Sequence, residues 1–174
     1  MTRALLWDTN IWSHLPLGTP EKQAHVQARL AALALCYPGA TRATSRICIA
    51  EALVAARRLD DPAAALAAEA ALSAEFANPS LIVVEISDLL PGTGVQVADQ
   101  AASLRAEALK AARRGGPEAG PDGGKLKLPD ALIAASCLVF SPPAVLLTEN
   151  TGDFQSTAPD GVSTRVAGLT VEGL

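Results

Sequence analysis

Ala4-Leu5-Leu6-Trp7 is a short apolar run that stops abruptly at a carboxylate, Asp8. It reads as a buried central strand with Asp8 at its C-terminal tip, followed by Thr9 and Asn10. Ligands of open α/β sheets bind outside the carboxyl ends of the strands. Asp8 therefore stands where chemistry is expected, and the rest of the chain can be searched for residues that converge on it.

The segments that follow alternate in kind. Thr9 to His14 reads as a short helix stopped near Leu15-Pro16. Thr19-Pro20-Glu21 is a helix start, with a capping hydroxyl, Pro at the first helical position and an acid in the first turn. That helix should reach about Cys36. Ala40 to Thr44 suggests a short strand or edge segment. Ser45 caps a helix from Arg46 to about Leu59, and Asp61-Pro62 opens another that ends before Asn78-Pro79. Leu81 to Val84 is a second clear strand. Val95 to Arg114 is a long helix whose Arg105, Lys110, Arg113 and Arg114 read as a solvated face. A mobile Gly/Pro-rich loop is expected at 115–124. Pro129 starts a helix reaching about Phe140, Ala144 to Leu147 is a third strand, and 162–174 offers one or two edge strands. Strands alternating with helices imply a three-layer α/β/α fold around a mainly parallel sheet. No repeat or linker interrupts it, so residues 1–174 read as a single domain.

Composition narrows the function classes. The 174 residues are 49% hydrophobic and 18% charged, which suits a folded domain with a sizeable core. The formal net charge of -4 gives no global basic field for nucleic acid. Any such partner must be held by local basic clusters or through a bound cation. Cys36, Cys48 and Cys137 are odd in number and lack a C-x-x-C spacing, so reduced core thiols in a cytoplasmic protein are expected. The first apolar run is too short for a signal peptide, and no stretch is long enough to span a membrane.

Four acids occupy marked positions. Asp8 follows the first strand. Glu51 is the only charge in Ile47-Cys48-Ile49-Ala50-Glu51-Ala52-Leu53-Val54-Ala55-Ala56, on the face of Ile47 and Val54. Asp130 lies in the first turn after Lys127-Leu128-Pro129, where unpaired N–H groups favour a carboxylate. Asp153 follows the third strand in Thr148-Glu149-Asn150-Thr151-Gly152-Asp153-Phe154. Each has a plain structural explanation too: Asp8 as a helix cap, Asp130 as a first-turn acid, Asp153 as a turn residue, Glu51 as half of an ion pair. Gathered together, they would repel strongly, by roughly 4 kcal/mol for two charges about 4 Å apart at an effective dielectric near 20. A counter-cation would be required. Hard oxygen donors without a His or Cys cluster favour Mg2+, or Mn2+, over zinc. Asp8 and Asp130 are the candidates for direct ligands, with Glu51 and Asp153 acting through water or on a second ion. Such a site suits phosphodiester hydrolysis, because the metal lowers the pKa of a bound water and stabilises the leaving oxygen.

Taken in order, Leu6-Trp7-Asp8-Thr9-Asn10-Ile11-Trp12, Ser45-Arg46-Ile47-Cys48-Ile49-Ala50-Glu51-Ala52-Leu53, Leu128-Pro129-Asp130-Ala131-Leu132-Ile133-Ala134-Ala135 and Leu147-Thr148-Glu149-Asn150 with Asp153-Phe154 resemble a PIN-domain ribonuclease of the VapC toxin type. The resemblance implies a parallel-sheet α/β/α fold and a Mg2+-dependent endoribonuclease. It also implies a homodimer and a VapB-like antitoxin bound across the active-site groove. It gives Asp8, Glu51, Asp130 and Asp153 the acidic roles, with Asn10, Thr148 and Asn150 as supporting polar residues. Glu149 competes with Asp153 for the fourth acidic position, although the Asp-Phe pair favours Asp153. Lys125, Lys127 and Arg46 are candidate RNA contacts, and loop 115–124 is a candidate gate. His14 and His25 read as structural, and Trp7 and Trp12 as core or dimer-interface residues.

Other readings are weaker. A phosphatase using Asp8 as nucleophile would want a second Asp where Asn10 stands. A phospho-receiver would want Lys at the end of a late strand, where Thr148-Glu149-Asn150 stands. A non-catalytic PIN-like module would be expected to lose acids, yet all four are present. A PIN nuclease in RNA processing or decay remains the main rival to a toxin.

Overall fold

The computed structural model describes residues 3–113, 126–158, 161–164, 166 and 168–174. In chain order the elements are β1 (Ala4–Trp7), α1 (Thr9–Leu17), α2 (Pro20–Cys36), β2 (Thr41–Ser45), α3 (Arg46–Arg57), α4 (Pro62–Phe76) and β3 (Ile82–Val84). There follow α5 (Val97–Arg113), α6 (Leu128–Cys137), β4 (Val145–Thr148), α7 (Thr151–Phe154), β5 (Gln155–Ala158), β6 (Gly161–Thr164) and β7 (Thr170–Gly173). The main sheet has the order β3-β2-β1-β4-β7, and every pairing in it is parallel. All residues of β1 and of β4 are buried. Side chains alternate between the two faces of a strand, so helices must cover both faces of the sheet centre. This is the expected α/β fold.

Several boundaries differ from the sequence reading for local reasons. Ala40–Thr44, read as a strand or edge segment, becomes β2 and lies inside the sheet between β1 and β3. The more apolar Leu81–Val84 supplies the edge, and its Ile82 is exposed. Pro16 does not stop α1, which runs to Leu17. Proline lacks only its own N–H, and at the last turn that loss is small. A hairpin, β5 with β6, forms a separate antiparallel pair at residues read as loop or tail. Cys36 is exposed, while Cys48 and Cys137 are buried, so only two of the thiols belong to the core. The loop at 115–124 and Lys125 lie outside the described residues.

The core is built from small aliphatic residues with two aromatic anchors. Trp12 is 1% exposed and stacks on Trp7 at 4.9 Å between ring centroids, with Phe76 edge-on at 5.1 Å. Its Nε1 donates to the Trp7 carbonyl at 3.2 Å and to Thr44 Oγ1 at 2.9 Å. Both tryptophans are thus core residues. Among the described residues no helix is long and apolar enough to cross a membrane.

The sheet order fixes where a site can form. From β1 the chain steps outward to β2 and β3, then returns to the other side of β1 as β4. The strand order therefore reverses between β1 and β4, and their carboxyl ends flank the crevice where ligands of such sheets bind. Those ends are Trp7-Asp8 and Thr148.

Candidate active site

Asp8 is fixed before any ligand arrives. Its backbone N–H donates to the Leu147 carbonyl of β4 at 3.0 Å. Its Oδ1 accepts from the Thr9 N–H at 2.6 Å, so it does cap α1. Its Oδ2 accepts from Thr148 Oγ1 at 2.6 Å and from Asn10 Nδ2 at 3.1 Å. Asn10 Nδ2 also donates to Thr148 Oγ1 at 3.2 Å, and that oxygen receives the Asn150 N–H at 3.0 Å. Thr148 is fully buried, and its single hydroxyl ties the ends of β1 and β4 to the Asn150 turn. Asn10, Thr148 and Asn150 thus converge on the first acid, Asn150 through its backbone.

The other acids come from distant segments to the same place. One cavity of about 430 Å³ is lined by Asp8, Asn10, Glu51, Asp130, Asn150 and Asp153, with Lys127 and His14 on its wall. Glu51 projects from α3 one turn on from the buried Cys48. It is partly exposed rather than buried on an apolar face, and its neighbour Val54 is 50% exposed. Its Oε2 accepts from Thr9 Oγ1 at 2.5 Å. Asp130 stands in the first turn of α6, whose cap residue, Lys127, makes no side-chain capping bond. Asp153 sits in α7, anchored by the buried Phe154 beside it.

Glu149 is drawn away from this cavity. Its Oε2 lies 2.7 Å from His14 Nε2, and its Oε1 pairs with Lys22. Asp153, not Glu149, therefore joins the other acids at the pocket wall. Arg46 forks onto Glu85, with Nε 3.0 and 3.1 Å from its two oxygens, and does not line the cavity. Lys127 does. His14, read from sequence as structural, turns out to face the acids.

Electrostatics are unfavourable in the way a cation would relieve. Burial pushes the Asp8 carboxyl above its ordinary range, against hydrogen bonds from Thr148, Thr9 and Asn10 that lower it, and Glu51 raises it further. Asp130 is pushed up to about 6, first by burial and then by Asp153, with Asp8 and Glu51 adding to it and Lys127 opposing. The expected stabilisation of Asp130 by its helix start is outweighed. Among the described residues none of these four acids forms an ion pair. Among the described residues the buried Asn10 Oδ1 accepts no hydrogen bond at the cavity wall.

The donor set is hard oxygen throughout, as Mg2+ or Mn2+ requires. Among the described residues, no trio of His, Cys, Asp or Glu stands close enough to grip an ion directly. Mg2+ does not demand that, since it keeps several waters and takes one or two carboxylates. The residues present fit a hydrated divalent ion, which Asp8 and Asp130 would hold with Glu51 and Asp153 nearby.

No protein-family profile and no curated protein matches the chain. Solved structures do. The VapBC2 structure of Rickettsia felis, bound to a DNA fragment from its promoter, matches with a TM-score of 0.62 at 18% identity, covering 98% of each chain. The FitAcB structure of Neisseria gonorrhoeae matches at 0.58 and 22%, over 86% of this chain and 90% of that one. A DNA-bound VapBC structure of Salmonella typhimurium matches at 0.55 and 23%, over 98% of each. At these identities the likeness is one of fold. The chain shares the α/β fold of these VapBC and FitAcB structures, in line with the fold that the resemblance in its motifs implied.

Proposed function

We propose that this protein is a Mg2+-dependent endoribonuclease and the toxin of a toxin–antitoxin pair. The observation that carries the reading is the convergence of Asp8, Glu51, Asp130 and Asp153, from four separate segments, on one cavity at the sheet's switch point. Burial raises the Asp8 and Asp130 carboxyls, and the fold holds these two beside other acids at a cost. Functional sites are where such costs are tolerated.

The chain's own part in hydrolysis follows from the geometry. A bound divalent ion would supply an activated water and neutralise charge on the phosphate. Thr148 and Asn10 orient Asp8 by occupying its Oδ2. Thr9 plays the same part for Glu51. Asp130 presents its carboxylate to the same cavity and would join Asp8 in holding the ion. Lys127 provides positive charge beside the acids for the RNA backbone.

A protein partner is part of the reading. The VapBC and FitAcB structures are complexes by name, and this chain's counterpart would be a VapB-like antitoxin. A second cleft of about 360 Å³, lined by Trp7, Trp12, Leu15, Arg42, Leu72 and Glu75, suits the apolar side chains of such a partner. Trp7 Nε1 is buried without an acceptor among the described residues. A homodimer belongs to the same proposal.

The test is cleavage of total RNA, with site mapping, in Mg2+ and in EDTA. Wild type should cut only with the metal, and Asp8→Asn and Asp130→Asn should not cut while remaining folded. Retained cutting by purified Asp130→Asn overturns the site. Growth arrest on expression, relieved by a neighbouring small protein, would separate a toxin from a nuclease of RNA processing or decay. Cutting of single-stranded DNA in preference to RNA would overturn the substrate.

A further inference from the structure

The nuclease reading leaves one group on the cavity wall without a task. His14 lines the same cavity as the acids. Its Nε2 is committed to Glu149 at 2.7 Å, and Glu149 is held from its other oxygen by Lys22 of α2. The chain Lys22–Glu149–His14 thus joins α2, the residue after β4 and α1 across the mouth of the site. His14 Nδ1 has no hydrogen-bond partner among the described residues. With Nε2 engaged by a carboxylate, Nδ1 is the ring nitrogen left to meet a ligand. Lys22 and then His14 hold the Glu149 carboxyl below its usual range, so Glu149 is anionic at neutral pH.

The wall is otherwise short of positive charge. Around His14 stand Glu149 and Lys22, and across the cavity Asp8, Glu51, Asp130, Asp153 and Lys127. A divalent ion can offset the acids at the bond to be cut. It does little for the neighbouring phosphates of an RNA strand, which the same acids repel.

We propose that His14, held by Glu149 and Lys22, is a substrate-positioning residue that binds a backbone phosphate of the RNA at the mouth of the acidic cavity. The proposal rests on the nuclease reading and adds a contact to it. His14 and Lys127 then contact the strand from α1 and from the start of α6, on the wall they share with the acids.

The test is steady-state cleavage of a single-stranded oligoribonucleotide containing the mapped site, in Mg2+, over a range of salt. His14→Gln should raise KM about tenfold, as for a lost hydrogen bond to a charged group, with kcat within about twofold. The slope of log KM against log salt should flatten by about 0.7, one phosphate contact on a single strand. His14→Arg, which can still reach Glu149, should restore both. If His14→Gln fails to fold, Glu149→Gln serves, since it frees the ring without altering the acids, and KM should again rise. An unchanged KM and salt slope, or a loss confined to kcat, overturns the proposal. Wild type that cuts no RNA overturns the nuclease reading and this contact with it. Cutting wild type beside an indifferent His14→Gln overturns this contact alone.

Discussion

Replacing Asp130 by Asn should abolish activity and make the metal-free protein more stable at neutral pH. The Asp130 carboxyl is pushed from 3.8 to about 6, chiefly by burial and next by Asp153. Its folded-state pKa lies above its unfolded value, so the folded chain holds the proton more tightly between those two values. That stabilisation is complete below about pH 4 and is lost as pH rises through about 6. At pH 7.5 the ionised side chain is therefore a liability. Two pK units correspond to about 3 kcal/mol at most. Asp130 is only partly buried, so solvent screening reduces this to about 1.5 kcal/mol. Its place in the first turn of α6 offsets roughly 0.5 kcal/mol of that through the helix dipole. Asp130→Asn should thus gain about 1 kcal/mol at pH 7.5 in EDTA, or about 2–4 °C in Tm for a chain of this size. Urea and thermal unfolding at pH 7.5 and 4.5 would measure it, and the gain should shrink at the lower pH. A variant no more stable than wild type at pH 7.5 would refute the claim that the fold holds the Asp130 carboxylate against burial and its acidic neighbours.

Three further outcomes follow from the same geometry. Saturating Mg2+ should stabilise wild type by about 2.7 kcal/mol at a hundredfold excess over Kd, and Asp130→Asn by far less; equal metal-dependent shifts in Tm would show that the ion binds elsewhere. Thr148→Val removes the buried hydroxyl that serves Asp8, Asn10 and the Asn150 N–H, so it should cost about 1–3 kcal/mol in urea unfolding and lower kcat. Asp8→Asn keeps a capping side chain on α1 and should change stability by under about 1 kcal/mol, whereas Asp8→Ala should lose about 1 kcal/mol more while both are inactive.

The acidic residues were legible because each broke a local pattern. Asp8 ends an apolar strand, Glu51 interrupts an apolar helical run, and Asp130 follows a proline at a helix start. Such irregularities are visible one segment at a time. The choice between Glu149 and Asp153 was not, because it depends on His14 and Lys22, which lie more than a hundred residues earlier in the chain. The same partners hid the place of His14. The position of β2 inside the sheet was illegible for a different reason. Thr41-Arg42-Ala43-Thr44-Ser45 is too polar to announce a buried strand, and only its flanking strands and covering helices bury its C-terminal half.

The sequence by itself determined the alternation of strands and helices, the caps of α1 to α4 and the residue types of the site, since these rest on interactions within a few residues. Tertiary structure decided which carboxylates meet, which are drawn off by cations, and how far burial shifts their titration. Those outcomes depend on distances between segments far apart in the chain, and on how much water the packing leaves around each charge.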